Sequence, residues 1–264
     1  NKLKKWYNKY NFFFYPMISA HGIENWIDNL TFFKDFLEKD SYSEMLATVM
    51  CLEVRDNNWT YEKIIEYVKM QEFLFEKVYE ENKNNLQHFL NIIFDHKTIQ
   101  TAPITVKTNL NRISCSLQQT IAIRLGDLAW VPCHRTSYPN FIYGNINLEK
   151  EDFELIENNL QMCTTLYGIN PNYSMPKCEQ CILAPYCMKQ CLGSQYESQG
   201  DLFESNPTVC DLYKTKLVTI YELFNRYSLF EQIISLPDSF IKSIALDFKE
   251  VIEKFLEEVT DYNE

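Results

Sequence analysis

Apolar positions over the first hundred residues alternate between two habits. Phe12-Phe13-Phe14-Tyr15-Pro16-Met17-Ile18 is a short apolar run of strand type, ended by Gly22. Trp26, Leu30, Phe33 and Leu37 then recur at helical spacing. The run from Leu46 to Val54 predicts a second strand, Asp56-Asn57-Asn58 a loop, and Thr60 a cap for a helix carrying Ile64, Val68 and Phe75. The run from Phe89 to Phe94 predicts a third strand. Strands alternating with helices imply parallel strands joined by right-handed crossovers. Three strands do not close a barrel, so this stretch reads as part of a barrel or of an open sheet.

The pattern changes near residue 113. Ile121–Arg124 and Leu128–Val131 flank Gly126-Asp127 and predict a hairpin. A helix is expected from Leu148 to Leu166, with Gly168 as its stop. Residues 170–212 are rich in Pro, Cys, Gly and Ser, too poor in apolar periodicity to build a large core, and need another staple. Two helices follow, marked by Leu217, Ile220, Phe224 and Tyr227, then by Ile241, Ile244, Phe248, Val251, Phe255 and Val259, with Pro237-Asp238-Ser239 as the break between them. The fold class expected is α/β followed by α+β, divided into residues 1–112, 113–215 and 216–264.

With 46% apolar and 15% aromatic residues, the chain can bury a sizeable core, which argues against disorder. Six glycines leave little room for a nucleotide-cradling loop. The formal charge of −11 argues against nonspecific nucleic-acid binding and is compatible with a basic peptide partner. No apolar run reaches the ~18 residues of a membrane span, and the start Asn1-Lys2-Leu3-Lys4-Lys5-Trp6 has no secretory character. The cysteines number nine, an odd count. Without a secretion signal that count argues against a disulfide scaffold and for metal-binding thiols in a reducing, cytoplasmic setting.

The chemistry concentrates in Cys178-Glu179-Gln180-Cys181-Ile182-Leu183-Ala184-Pro185-Tyr186-Cys187-Met188-Lys189-Gln190-Cys191, with the pattern C-x2-C-x5-C-x3-C, followed by Cys210. A C-x2-C loop can direct two thiolates at one metal centre, and four thiolates suit a cubane iron–sulfur cluster. Metal binding would also order a segment short of apolar residues. Zinc is the main rival. Its sites commonly pair two C-x2-C or C-x4-C knuckles, which the gaps here fit poorly.

The pattern resembles the SPASM domain of radical S-adenosylmethionine (SAM) enzymes, whose motif is C-x9–15-G-x4-C, then C-x2-C-x5-C-x3-C, then a final cysteine. The second half matches residue for residue. The first half maps onto Cys115 and Cys133, with Leu128 where the family has glycine and the x4 spacing to Cys133 kept. Gly126, two residues earlier, is a candidate to supply that turn. The resemblance covers residues 113–215 and implies two [4Fe–4S] clusters. Cys115, Cys133 and Cys191 would hold the first, and Cys178, Cys181, Cys187 and Cys210 the second. Some family members carry a further cysteine where Ile121 stands, so the fourth ligand of the first cluster is not evident. Cys163 shares a helical face with Phe153, Ile156 and Leu160, and Cys51 lies in an apolar strand; both read as core thiols. His134 reads as a polar residue at a strand end.

Residues 1–112 look similar to the back half of the radical SAM barrel. Met17-Ile18-Ser19-Ala20-His21-Gly22 resembles the family's fourth-strand ISxDG segment, which implies SAM contact for Ser19. The C-x3-C-x2-C motif that holds the SAM-cleaving cluster is not in this sequence, so the chain reads as a fragment whose front portion would carry SAM and a third [4Fe–4S] cluster. The activity implied is hydrogen abstraction from a peptide or protein, with or without a leader segment, by a 5′-deoxyadenosyl radical, with ferredoxin or flavodoxin as electron donor. Maturation of ribosomally made peptides through thioether or carbon–carbon crosslinks is the favoured class. Sulfatase maturation is the alternative, weakened because His134 stands where those enzymes have Asp. A non-enzymatic electron-transfer or scaffold module is the other alternative.

Overall fold

A computed structural model describes residues 17–36, 38–43, 51–52, 58–95, 104–105, 122–133, 135–156, 159, 176–187 and 192–261. The chain divides into two units interleaved in sequence: residues 1–108, 180–188 and 206–264 form one, and residues 109–179 and 189–205 the other. The helices are α1 (Trp26–Phe36), α2 (Tyr61–Asn82), α3 (Leu86–Ile93), α4 (Leu192–Gln199), α5 (Pro207–Arg226), α6 (Leu229–Ile234) and α7 (Phe240–Asp261), and a single helical turn spans Pro176–Glu179. No helix among the described residues is long and apolar enough to cross a membrane.

In the first unit, β1 (Met17–Ile18) pairs in parallel with β2 (Cys51–Leu52), Met17 opposite Cys51. Between them in sequence lies α1, which buries Trp26, Leu30 and Phe36. Thr60 occupies the N-cap position of α2 in extended backbone but makes no side-chain cap bond. The inner face of α2 is Tyr67, Met70, Leu74, Phe75 and Val78, of which only Phe75 belongs to the expected trio. The run from Phe89 to Phe94, expected as a strand, is helical through Ile93. Only Phe94–Asp95 is extended, as β3, paired in parallel with β4 (Ile104–Thr105). An unbroken apolar run fits a buried strand or a helix equally well. Here Asn85 decides it: its side chain accepts the His88 amide at 3.0 Å and caps the helix. The helix then puts Phe89, Leu90 and Ile93 in the core.

Helices α1, α2, α3, α5, α6 and α7 share one hydrophobic core, and Leu183 and Tyr186 of the cysteine-rich segment are buried in it. Its centre is aromatic. Phe224 is fully buried, with ring centroids 5.7 Å from Phe75, 5.8 Å from Phe94 and 5.1 Å from Phe230. Edge-to-face and tilted packing of this kind adds to plain apolar burial.

The second unit is built on an antiparallel sheet in the order β5 (Ala122–Arg124), β6 (Ala129–Val131), β7 (Gly144–Asn147), β8 (Asp152–Leu155). The expected hairpin is β5–β6, with Ile123 opposite Trp130. The helix expected from Leu148 is not formed at its start, where a turn and β8 stand instead. Asn147 accounts for this: its side chain accepts the amides of Glu149 and Lys150, both at 3.1 Å, and Glu151 adopts φ 51°. Such a turn reverses the chain before a helix can nucleate. Gly144 is required on β7, because a Cβ there would lie 2.1 Å from the Glu154 carbonyl oxygen.

The aromatic centre of the first unit yields a direct stability expectation. Phe224→Ala should lower unfolding free energy by about 3–5 kcal/mol, read by urea denaturation, because five rings would border the void. A loss below about 1 kcal/mol would show that the core collapses around it.

Candidate metal centre

Cys133 follows β6 after Pro132, and the residues before it are held in an unusual backbone. Leu128 adopts φ 56°, the left-handed region that L side chains seldom enter. Three contacts fix it. Asp127 accepts the Ala129 amide at 3.2 Å, across Leu128. Arg124 Nε donates to the same carboxylate at 2.8 Å, which pulls the Asp127 carboxyl down to about 2. The Leu128 carbonyl accepts the Ile146 amide of β7 at 3.0 Å. Gly126 lies in the turn as expected, without positive φ; the left-handed residue of that turn is Leu128, held by Asp127.

Past Cys133 the chain turns sharply. The Thr136 amide donates to the Cys133 carbonyl at 3.1 Å, and the Thr136 hydroxyl accepts the Cys133 amide at 3.0 Å. Thr136 Oγ1 also stands 3.4 Å from Cys133 Sγ. This turn is fixed to α4. Arg135 pairs with Glu197 at 3.1 Å, both side chains largely out of solvent. Gly193 lies so close that a Cβ there would meet the Arg135 Cβ at 2.7 Å. Phe141, Leu192 and Leu202 form a small buried cluster against which Cys133, Tyr138, Tyr196 and Phe203 pack. Cys133 and the first residue of α4 thus share one apolar environment. Cys115, Cys163, Cys191, Ile121 and His134 lie outside the described residues.

Cys181, Cys187 and Cys210 belong to the first unit. Between the first two, a 3-10 turn runs from Ala184 to Tyr186, started by the Ala184 amide on the Cys181 carbonyl at 3.0 Å. Pro185 pre-sets its backbone. The segment is docked through Tyr186, whose hydroxyl donates to the Asp247 carboxylate of α7 and whose ring lies 5.2 Å from Phe248. Burial, then Asp247, push the Tyr186 phenol well above its ordinary range. Cys181 packs against the same core as Leu183 and Tyr186.

Cys210 stands in the first turn of α5, its amide on the Asn206 carbonyl at 3.1 Å, while the Asn206 side chain caps the helix through the Val209 amide at 3.3 Å. Farther along α5, burial pulls the Lys216 ammonium down to about 8, and the charge of Cys187 opposes that fall. Cys178 sits in the helical turn of the second unit. Cys133, Cys178, Cys181, Cys187 and Cys210 are all half-buried and stand outside any disulfide. Among the described residues, no three His, Cys, Asp or Glu side chains gather closely enough to hold a metal ion.

Ser19 directly follows β1, half-buried, and its carbonyl accepts the Gly22 amide at 3.3 Å. Cys51 lies on β2. Sequence reading missed Thr136, Lys216 and the Arg135–Glu197 pair. Lys216 and the Arg135–Glu197 pair depend on partners brought near by folding, whereas Thr136 closes a local turn three residues after Cys133.

No protein-family model, curated protein or solved structure matches this chain.

The strained position before Cys133 can be tested by size and shape at one residue. Leu128→Val, β-branched and less tolerant of positive φ, should lose about 1–3 kcal/mol in thermal or urea unfolding, whereas Leu128→Gly should be at least as stable as the parent. The reverse order would show that the left-handed backbone is not maintained in solution.

Proposed function

We propose that this chain is the auxiliary-cluster portion of a radical SAM peptide-modifying enzyme, of the type that crosslinks ribosomally made peptides. The observation that carries the reading is Leu128. The SPASM pattern has glycine at that position, five residues before the cysteine that matches Cys133. A glycine is needed where backbone must enter the left-handed region. Here the residue has changed, yet φ is 56°. Leu128 thus takes up a backbone conformation that suits glycine, beside cysteine spacing that matches the pattern.

The division of the chain follows the same reading except at Cys178. The pattern pairs Cys133 with Cys191 and sets them apart from Cys178, Cys181, Cys187 and Cys210. In the fold, Leu192 packs with Cys133 in one unit, Cys181, Cys187 and Cys210 fall in the other, and Cys178 falls in the unit of Cys133. The donor chemistry also fits. A single ion needs its ligands within about 2.3 Å of one centre, whereas in a cluster each thiolate takes its own iron and the sulfurs stand farther apart. Half-buried thiols packed against apolar side chains, as Cys133 and Cys181 are, suit the second arrangement.

When bound, two [4Fe–4S] clusters supply one-electron transfer to or from the reaction centre. The residues of this chain position them. Cys115, Cys133 and Cys191 would hold the first, and Cys178, Cys181, Cys187 and Cys210 the second. Leu183 and Tyr186 fix the middle of the ligand segment on the helical core, and Lys216 offsets thiolate charge beside Cys187. SAM, a third cluster and the hydrogen-abstraction step belong to the portion bearing C-x3-C-x2-C. On this reading Ser19, which directly follows the parallel strand β1, would contact SAM. A peptide substrate and a ferredoxin- or flavodoxin-type donor are the partners this reading requires.

Iron analysis tests the assignment. Anaerobic reconstitution of the chain with ferrous iron and sulfide should yield a brown protein with about eight irons. Cys181→Ala should lose about half of them, and Cys163→Ala none. A colourless chain that takes up zinc alone would sink the proposal.

A further inference from the structure

Thr136 is completely buried, at 0% exposure, and its hydroxyl oxygen touches Cys133 at three atoms. It lies 3.0 Å from the amide nitrogen, 3.1 Å from the carbonyl oxygen and 3.4 Å from Sγ. A hydroxyl has one proton to give and two lone pairs to receive with. One lone pair takes the Cys133 amide proton. The single proton can go to the carbonyl oxygen or to the sulfur. The carbonyl already accepts the Thr136 amide at 3.1 Å, so it has a partner without the hydroxyl. A neutral thiol is a poor acceptor, but a metal-bound thiolate is a charged one, and charge strengthens a hydrogen bond. Ligation would therefore turn the hydroxyl proton toward Sγ.

We propose that Thr136 is the positioning residue that donates a hydrogen bond to the Cys133 thiolate and raises the reduction potential of the cluster bound there. This rests on the reading of Cys133 as a cluster ligand. The reduced cluster carries one more negative charge than the oxidised one, part of it on the thiolate sulfurs. A donor aimed at such a sulfur stabilises the reduced state more, which moves the potential upward. The fold holds the donor in place. Arg135, adjacent to Thr136, is clamped to Glu197 at 3.1 Å and pressed against Gly193. Full burial of Thr136 keeps water from replacing its hydroxyl.

The test uses the full chain, reconstituted anaerobically with ferrous iron and sulfide and titrated with dithionite while paramagnetic resonance follows the clusters. Thr136→Val removes the donor and keeps the shape. It should retain iron and move one of the two couples to lower potential, and Thr136→Ser should restore it. The other couple, the one abolished by Cys181→Ala, should not move. Couples identical to the parent's in an iron-replete Thr136→Val overturn the inference and leave the cluster reading intact. Full iron retention in Cys133→Ala overturns both. Should Thr136→Val not hold iron, double resonance on the reduced parent decides: an exchangeable proton coupled to the cluster that survives Cys181→Ala is required, and its absence overturns the inference.

Discussion

Thiolates that must share an inorganic core repel one another until metal arrives, so the protein has to hold them in place by other means. On the proposed reading, that constraint accounts for how the segments bearing Cys133, Cys181 and Cys187 are held. Tyr186 and Leu183 sink between two cysteines and pin them to an aromatic core. The hydrogen bond from Tyr186 to Asp247 adds direction to that burial. On the other unit, the turn at Cys133 is gripped by Arg135–Glu197 and by the close approach of Gly193. An ion pair with side chains at 15% and 9% exposure is poorly screened, and breaking it would strand a charge away from water. Such a pair contributes fixed geometry more than net stability.

Local strain follows the same logic. A left-handed Leu128 persists only because Asp127, Arg124 and the β7 hydrogen bond over-determine it. The strain lies between the strands of a hairpin whose second strand leads directly to Cys133. A turn of this shape fixes where the strand ends and hence where the thiol begins. Thr136 then fixes which way the next residues leave. Cys133 is bracketed on both sides by these contacts.

Much of the frame is legible in the sequence. The hairpin from Ala122 to Val131, α1, and the two long closing helices follow from apolar spacing, and the cysteine pattern stands out without any structure. The misreadings share a cause. Phe89–Phe94 and the stretch after Leu148 were decided by single polar side chains, Asn85 and Asn147, that redirect backbone hydrogen bonds. Periodicity does not register a cap or an Asx turn two residues away. The short helix α6 escaped notice because six residues hold too few turns to show a period. Lys216 was invisible because its environment depends on Cys187, distant in sequence, and Thr136 because a three-residue turn leaves no periodic mark.

The measurement that bears most directly on the account is the iron K-edge X-ray absorption spectrum of the anaerobically reconstituted chain. Thiolates converging on cubane clusters predict an all-sulfur first shell and a strong iron–iron shell just beyond it. A spectrum with nitrogen or oxygen in the first shell and no iron–iron scattering would contradict it.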